Sequence, residues 1–532
     1  MGRFQNKKPA PKKQTKKPKE PETFDEFMED AIGFEEQGER YATGDKAQRN
    51  YERALQMYIK AHAINSEDAD CVYNWGRVLF ILVGFLPSHT APEDKLVKLD
   101  ESIEKFRLAL KLESNNKTDV EFNLAQALHL KSELLQETTE IDNAYGQSAL
   151  ALQEAISLFD AVYELQEKEY TKYPSDKKEE DKRASPPKEE ETEKNTHTHD
   201  HDHHDHDHHH ESETVTSNEN QKDIADKFTT VTEVEATTAY SLIDTLISTA
   251  DAMTTMASMM ANFEDSKKLF SRAMDKLLRA EKWLADTNET EKEHQKANIQ
   301  IMLKRGQCYC ELADRTFLAT KQVDNKLYEQ ALSPLMYITD KLDKNHVEAL
   351  CDQGDVFSRY AQAILDQVEQ RSKESTLDPK TNGKEVWQLY SQASDVYQKA
   401  LKLEPKSLSI LNKAGDISMA RAQLPLPVAE RNQLQLLKNA QFYYKQAVEA
   451  DNQVLTSGWV GWAYATWALE EWQDVDGKEQ DAKKIFQNWL KRGGDEDIFQ
   501  RLADDNDTID GGFVEWVGVS FFGANPDDDE SE

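Results

Sequence analysis

Small and aromatic positions in this chain recur with the period of a helix rather than a strand. In ASDVYQKALKLEP, residues 393 to 405, Ala393, Tyr397 and Ala400 stand at i, i+4 and i+7 on one helical face, and Pro405 closes the run. The same small, aromatic, small stripe stands at Ala54, Tyr58 and Ala61, at Ser102, Phe106 and Ala109, and at Ala440, Tyr444 and Ala447. Looser copies follow at Ala155, Phe159 and Val162, at Ala331 and Leu335, and at Ala482, Phe486 and Trp489. One stripe predicts an amphipathic core helix; matched copies predict a repeated unit.

In front of the stripes lies a second type of helix, marked by a glycine: Gly38, Gly76, Gly306, Gly354 and Gly415. An interior glycine costs a helix about 1 kcal/mol relative to alanine. Its recurrence at one phase therefore marks a place where two helices touch.

A glycine-bearing helix A followed by an Ala-x3-aromatic-x2-Ala helix B and a closing Pro or Asn resembles the tetratricopeptide repeat family, most closely in the unit from Gly354 to Pro405. The glycine-to-alanine spacing is wider than the family's throughout, so the repeats are divergent and carry long insertions. The resemblance implies an all-α fold, eight helical hairpins stacked as a right-handed TPR-like solenoid. It also implies binding of protein partners.

Composition divides the chain. Residues 1–22 form a basic tail, 23–173 an N-terminal lobe of three hairpins, and 223–510 a C-terminal lobe of five. Between the lobes, 174–222 is acidic, His-rich and almost without aliphatic or aromatic side chains, which predicts a disordered linker. An apolar capping segment at 511–523 precedes an acidic tail at 524–532. Six of the nine tryptophans fall between Trp459 and Trp516, expected either to cap the last hairpin or to dock a partner.

The net charge is −34, yet residues 1–20 hold eight basic residues and one acidic, so the body is more acidic than the total. Such a field disfavours nucleic acid and attracts basic proteins. Apart from the basic tail, nothing in the sequence points to nucleic acid. The longest apolar run, VLFILVGFL at 78–86, is far short of the about 20 residues a membrane helix needs, so no span is expected. With no secretory leader and four scattered cysteines (Cys71, Cys308, Cys310, Cys351), the expected setting is intracellular, nucleus or cytoplasm. KKPAPKKQTKK at 7–17 is readable as an import signal, an RNA-contacting arm or a solvated tail.

Phosphate-loop, dinucleotide, zinc-protease and nucleophile-elbow motifs are absent, and the histidines outside the linker stand singly. A non-enzymatic protein without cofactor or small-molecule substrate is expected. The exception in metal chemistry is the run His197, His199, His201, His203, His204, His206, His208, His209 and His210, whose imidazoles beside aspartates supply ligands for adventitious zinc or nickel.

Within the resemblance, the two-carboxylate clamp that grips chaperone C-termini has one counterpart here, Asn74. Glu35 and Glu39 occupy its Lys and Asn positions in the first helix, and Phe122 and Gln126 its basic positions in the third. Acids there would repel an acidic tail. The expected function is instead that of an adaptor or holding chaperone for a Lys/Arg-rich client, in a nuclear, ribosome-assembly or translation setting. Glu35, Glu39, Asn74, Asp352 and Asp355 are the candidate partner-binding residues on A helices. A co-chaperone clamp in the C-terminal lobe and a metal-handling role for the His run are the alternatives.

Overall fold

The computed structural model describes residues 21–523 apart from 88–89, 114–116, 139–140, 184–236, 288–289, 372–376, 451–456, 505 and 507. The basic tail, the His197–His210 run and the acidic tail therefore lie outside the described residues. Among those described there are eighteen α-helices and no strand. The N-terminal six are α1 (Phe24–Tyr41), α2 (Gly44–Ile64), α3 (Ala69–Val83), α4 (Pro92–Lys111), α5 (Lys117–Glu137) and α6 (Ala144–Arg183). Then come α7 (Ala239–Met259), α8 (Phe263–Ala285), α9 (Glu291–Thr320), α10 (Asn325–Tyr337), α11 (Val347–Arg371) and α12 (Asn382–Leu403). The last six are α13 (Leu408–Gln423), α14 (Pro427–Ala450), α15 (Ser457–Glu471), α16 (Lys478–Leu490), α17 (Glu496–Asp504) and α18 (Gly511–Val517). A single wider π turn extends α10 over Ile338–Leu342 and another extends α18 over Gly518–Phe522.

Local chemistry sets the helix starts. Thr23 and Glu26 form a capping box at α1, Asp68 caps α3 through the Cys71 amide at 2.8 Å, and Asn262 caps α8 through the Asp265 amide at 3.2 Å. Pro92 opens α4, where a missing amide hydrogen costs nothing.

Odd-numbered helices from α1 to α15 pair with the even-numbered helices that follow them, giving eight hairpins. The architecture is the expected TPR-like helical-hairpin solenoid, and the stripes explain why. Ala54, Tyr58 and Ala61 are all fully buried, as are Phe106 and Ala109, Ala393 and Ala400, Ala440, and Phe486 and Trp489. In several hairpins the B helix sends an aromatic toward the A helix, and a glycine there leaves room for the ring. A Cβ added at Gly354 would lie 2.5 Å from the Tyr397 ring, and one at Gly76 3.0 Å from Phe106. Gly306 takes Leu335 in the same way. Tyr444 is held from two sides, since a Cβ at either Gly415 of α13 or Gly461 of α15 would meet it at 2.6 Å.

Two registers differ from the sequence reading. Gly38 faces Tyr51, not Tyr58, so the contact stripe of the first hairpin is Ala47, Tyr51 and Ala54. In the fourth hairpin Ser266, Phe270 and Ala273 are fully buried and form a stripe of their own. The Ser266 hydroxyl donates to the Ala257 carbonyl at 2.6 Å, as Ser102 does to Gly76 at 2.8 Å.

The described residues fall into two compact units, one combining the chain up to Gln166 with everything from Ala239 onward, the other Glu167–Thr238. In the first unit the repeats continue across the insertion. Asp160 of α6 pairs with Lys276 of α8 at 2.5 Å, Trp283 donates to the Tyr163 hydroxyl at 2.9 Å, and buried Thr245 donates to Gln166 at 2.8 Å. In the second unit α6 stays helical to Arg183, beyond the composition change at 174, and Thr237 donates to Glu169 at 2.7 Å.

The stack ends on an aromatic cap. Phe513 and Val517 are fully buried against α15 and α16, beside Trp459, Tyr464, Trp467 and Trp489. Among the described residues no helix is long and apolar enough to cross a membrane.

Candidate functional site

A-helix carboxylates, two of them directly after the glycine (Gly354-Asp355 and Gly415-Asp416), are reached by B-helix tyrosines. Tyr397 donates its hydroxyl to Asp355 at 2.6 Å, Tyr444 to Asp416 at 2.7 Å and Tyr328 to Asp314 at 2.6 Å. Tyr58 donates to Glu35 in the first hairpin. Burial, and then the acceptor's charge, push all four phenols well above the ordinary tyrosine range, so they remain donors.

The second oxygen of most of these acids turns to a cation or donor of another element. Glu35 accepts from Arg77 of α3, Asp355 from Lys413 of α13 at 2.6 Å, and Asp314 from Arg359 of α11 at 3.0 Å. The carboxylates thereby tie B helix to A helix and one hairpin to the next.

Along this face α5, α7, α9, α10 and α11 enclose a cavity of about 410 Å³. Its wall includes Asp251, Thr254, Gln307, Glu311, Asp352, Asp355 and Arg359. Asp251 is paired with Lys304 at 2.8 Å and Glu311 with Arg359 at 2.6 Å. Asp352 differs from its neighbours: its carboxylate accepts a hydrogen bond from the neutral Gln307 amide at 3.1 Å and makes no ion pair among the described residues. Burial pushes the Asp352 carboxyl up to about 6, with the Gln307 bond opposing and the Asp355 charge adding to the rise. The arrangement is a polar recess in which Asp352, unlike Asp251, Glu311 and Asp355, makes no ion pair among the described residues, with the Lys413 charge partly offsetting its own.

The candidate residues from the sequence divide accordingly. Asp352 and Asp355 share the cavity. Glu35, Glu39 and Asn74 sit on α1 and α3 and do not line it. Glu35, offered above as a partner-binding residue, is only 3% exposed because Tyr58 and Arg77 enclose its carboxylate. Asp355 is likewise committed to Tyr397 and Lys413. Glu39 is exposed and Asn74 half-buried. Asp251, Gln307, Glu311 and Arg359 escaped the sequence reading, although the Gly-Asp dipeptides at 354–355 and 415–416 were a visible sign of the tyrosine acceptors.

All four cysteines are free thiols, and burial raises each, Cys71 to about 12 and Cys351 to about 11, which leaves them protonated. Among the described residues, no group of three or more His, Cys, Asp and Glu is placed to hold a metal ion.

No family model matches the chain. It is 24% identical over 448 residues to UPF0656 protein C926.02 of Schizosaccharomyces pombe, covering 81% of this chain and 85% of that one. Among solved structures, the S. pombe nuclear import adaptor Nro1 aligns over 83% of this chain and 99% of its own, at 12% identity and a TM-score of 0.28. Yeast Tom70 aligns over 92% and 97%, at 11% identity and a TM-score of 0.18.

Proposed function

We propose that this chain is a non-enzymatic interaction scaffold that receives a Lys/Arg-rich segment of a protein partner on its A-helix face, with Asp352 accepting one of the cationic side chains. The observation that carries this reading is the asymmetry of the cavity. Asp251, Glu311 and Asp355 each have a cation within 2.8 Å, while among the described residues Asp352 is in hydrogen-bond contact only with the Gln307 amide. A lysine or arginine entering beside it would supply the missing partner and lower the cost of holding that charge out of water. The −34 net charge adds long-range attraction for the same class of partner.

The test is capture of a fluorescein-labelled oligolysine peptide by the full chain and by Asp352→Asn, at low and high salt. Binding that weakens in the variant and falls with salt supports the reading. Equal binding by both proteins, or no binding by either, overturns it.

A further inference from the structure

The aromatic cap holds a second recess. Trp467, Trp472 and Trp516 border a cleft of about 520 Å³ at the end of the stack, with Glu471, Asp510 and Glu515 on its rim and no lysine or arginine in its lining. Tyr464 and Trp467 fix Trp472 by edge-on contacts at 6.0 and 6.3 Å, and Trp467 also contacts Trp516 at 6.3 Å. Glu471 and Glu515 are exposed and form no ion pair among the described residues. Asp510 spends one oxygen on the Gly512 amide at 2.8 Å.

Five other indoles, Trp516 at the cleft among them, are covered by the chain's own cations. Lys105 lies 3.8 Å from the Trp75 ring centre, Arg421 4.4 Å from Trp387, Arg492 4.6 Å from Trp459, Lys445 5.8 Å from Trp462 and Lys483 6.0 Å from Trp516. Trp472, half-buried in the cleft, has no such cover among the described residues, and the charged side chains that line the cleft are all negative. An indole face beside uncompensated carboxylates attracts a cation through the ring quadrupole and through charge together.

We infer that this cleft binds an arginine side chain of a protein partner, its guanidinium plane against Trp472 and its N–H groups donating to Glu471 and Glu515. Guanidinium fits better than ammonium because it is planar, sheds water more readily and presents a fork of donors to a carboxylate. The inference rests on the proposed basic partner and adds a second anchor, chemically distinct from the Asp352 recess.

The experiment uses the full chain and a fluorescein-labelled Gly-Ser-Arg-Gly-Ser-Arg-Gly-Ser peptide, beside the same peptide with citrulline in place of arginine. Citrulline keeps the shape and removes the charge. The wild-type chain is expected to prefer arginine, and Trp472→Ala or the double variant Glu471→Gln with Glu515→Gln to weaken that binding by about fivefold to tenfold. Because the two glutamates are exposed, their replacement separates loss of binding from loss of folding. Equal affinity for the two peptides, or unchanged binding in the double variant, overturns the cleft assignment. Asp352→Asn, run in parallel, separates the two readings: if it alone abolishes arginine capture, the groove stands and the cleft falls. If only the cleft variants weaken binding, the cleft stands and the groove falls.

Discussion

Tyr397 and Asp355 meet across the sixth hairpin, the phenol of α12 donating to the carboxylate of α11 at 2.6 Å, with Lys413 of α13 on the other oxygen at 2.6 Å. An acid that looks like a surface charge in the sequence is thus a joint between three helices. Removing the hydroxyl leaves a part-buried carboxylate short of a donor, a loss of about 1.5–3 kcal/mol for a bond to a charged group. Tyr397→Phe should lower stability by that order in chemical denaturation. In a double-mutant cycle with Asp355→Ala the two effects should be less than additive; full additivity would mean that the bond contributes nothing.

Glu35 makes the same point more strongly. Its carboxylate is buried between Tyr58 and Arg77, so changing it to lysine would place a second cation against Arg77 in a closed space. Breaking a buried pair from one side costs about 3–5 kcal/mol. Glu35→Lys should therefore lose stability and native near-ultraviolet signal, whereas Glu39→Lys, at an exposed position of the same helix, should leave both unchanged. A Glu35→Lys protein as stable as the wild type would contradict the burial seen here.

Glycine-to-alanine changes should separate contact from propensity. At Gly415 a new Cβ would strike the Tyr444 ring at 2.6 Å, and the ring has little room to retreat because it packs so closely on the Gly461 backbone that a Cβ there would also meet it at 2.6 Å. Overpacking of this kind costs about 1–3 kcal/mol. At Gly33 nothing lies within 4 Å, so alanine adds only helix propensity, about 1 kcal/mol of stabilisation. The two substitutions should shift the melting temperature in opposite directions, and shifts of the same sign would remove the ring-against-backbone account of the repeats.

These substitutions also show what could be read from the chain before folding. The stripes at Ala393, Tyr397 and Ala400 and at Ala440, Tyr444 and Ala447 were legible because a 3.6-residue period alone places them on one face, and burial followed. The choice between Tyr51 and Tyr58 as partner of Gly38 was not, since both lie on the same stripe one heptad apart and only the hairpin's docking depth decides between them. Exposure of the A-helix acids was misread for a related reason. A helical wheel places Glu35 on the same α1 stripe as Ala31 and Gly38, but it does not show the Tyr58 hydroxyl and Arg77 guanidinium that let an acid sit there buried. The Asp352 recess depends on five helices separated by insertions, so spacing along the chain carries no trace of it.

The last prediction concerns pH. The Asp352 carboxyl titrates at about 6 in the folded protein against 3.8 in its ordinary state, so between those values the folded chain holds a proton that the unfolded chain has released. Stability contributed by this group therefore falls as pH rises from about 4 to about 6 and stays low above that, because the part-buried ion then makes no ion pair among the described residues and the Lys413 charge offsets only part of its lost hydration. Asp352→Asn should be neutral near pH 4 and increasingly stabilising toward pH 7. Binding has the opposite dependence. A lysine or arginine arriving in the cavity favours the ionised acid, so capture of a basic peptide should strengthen as pH rises through 6 and should release a proton in that range. Isothermal titration in two buffers of different ionisation enthalpy at pH 6 reads the proton directly. A wild-type chain that binds without proton release, or an Asp352→Asn chain that releases as many, would show that the peptide does not sit against this carboxylate.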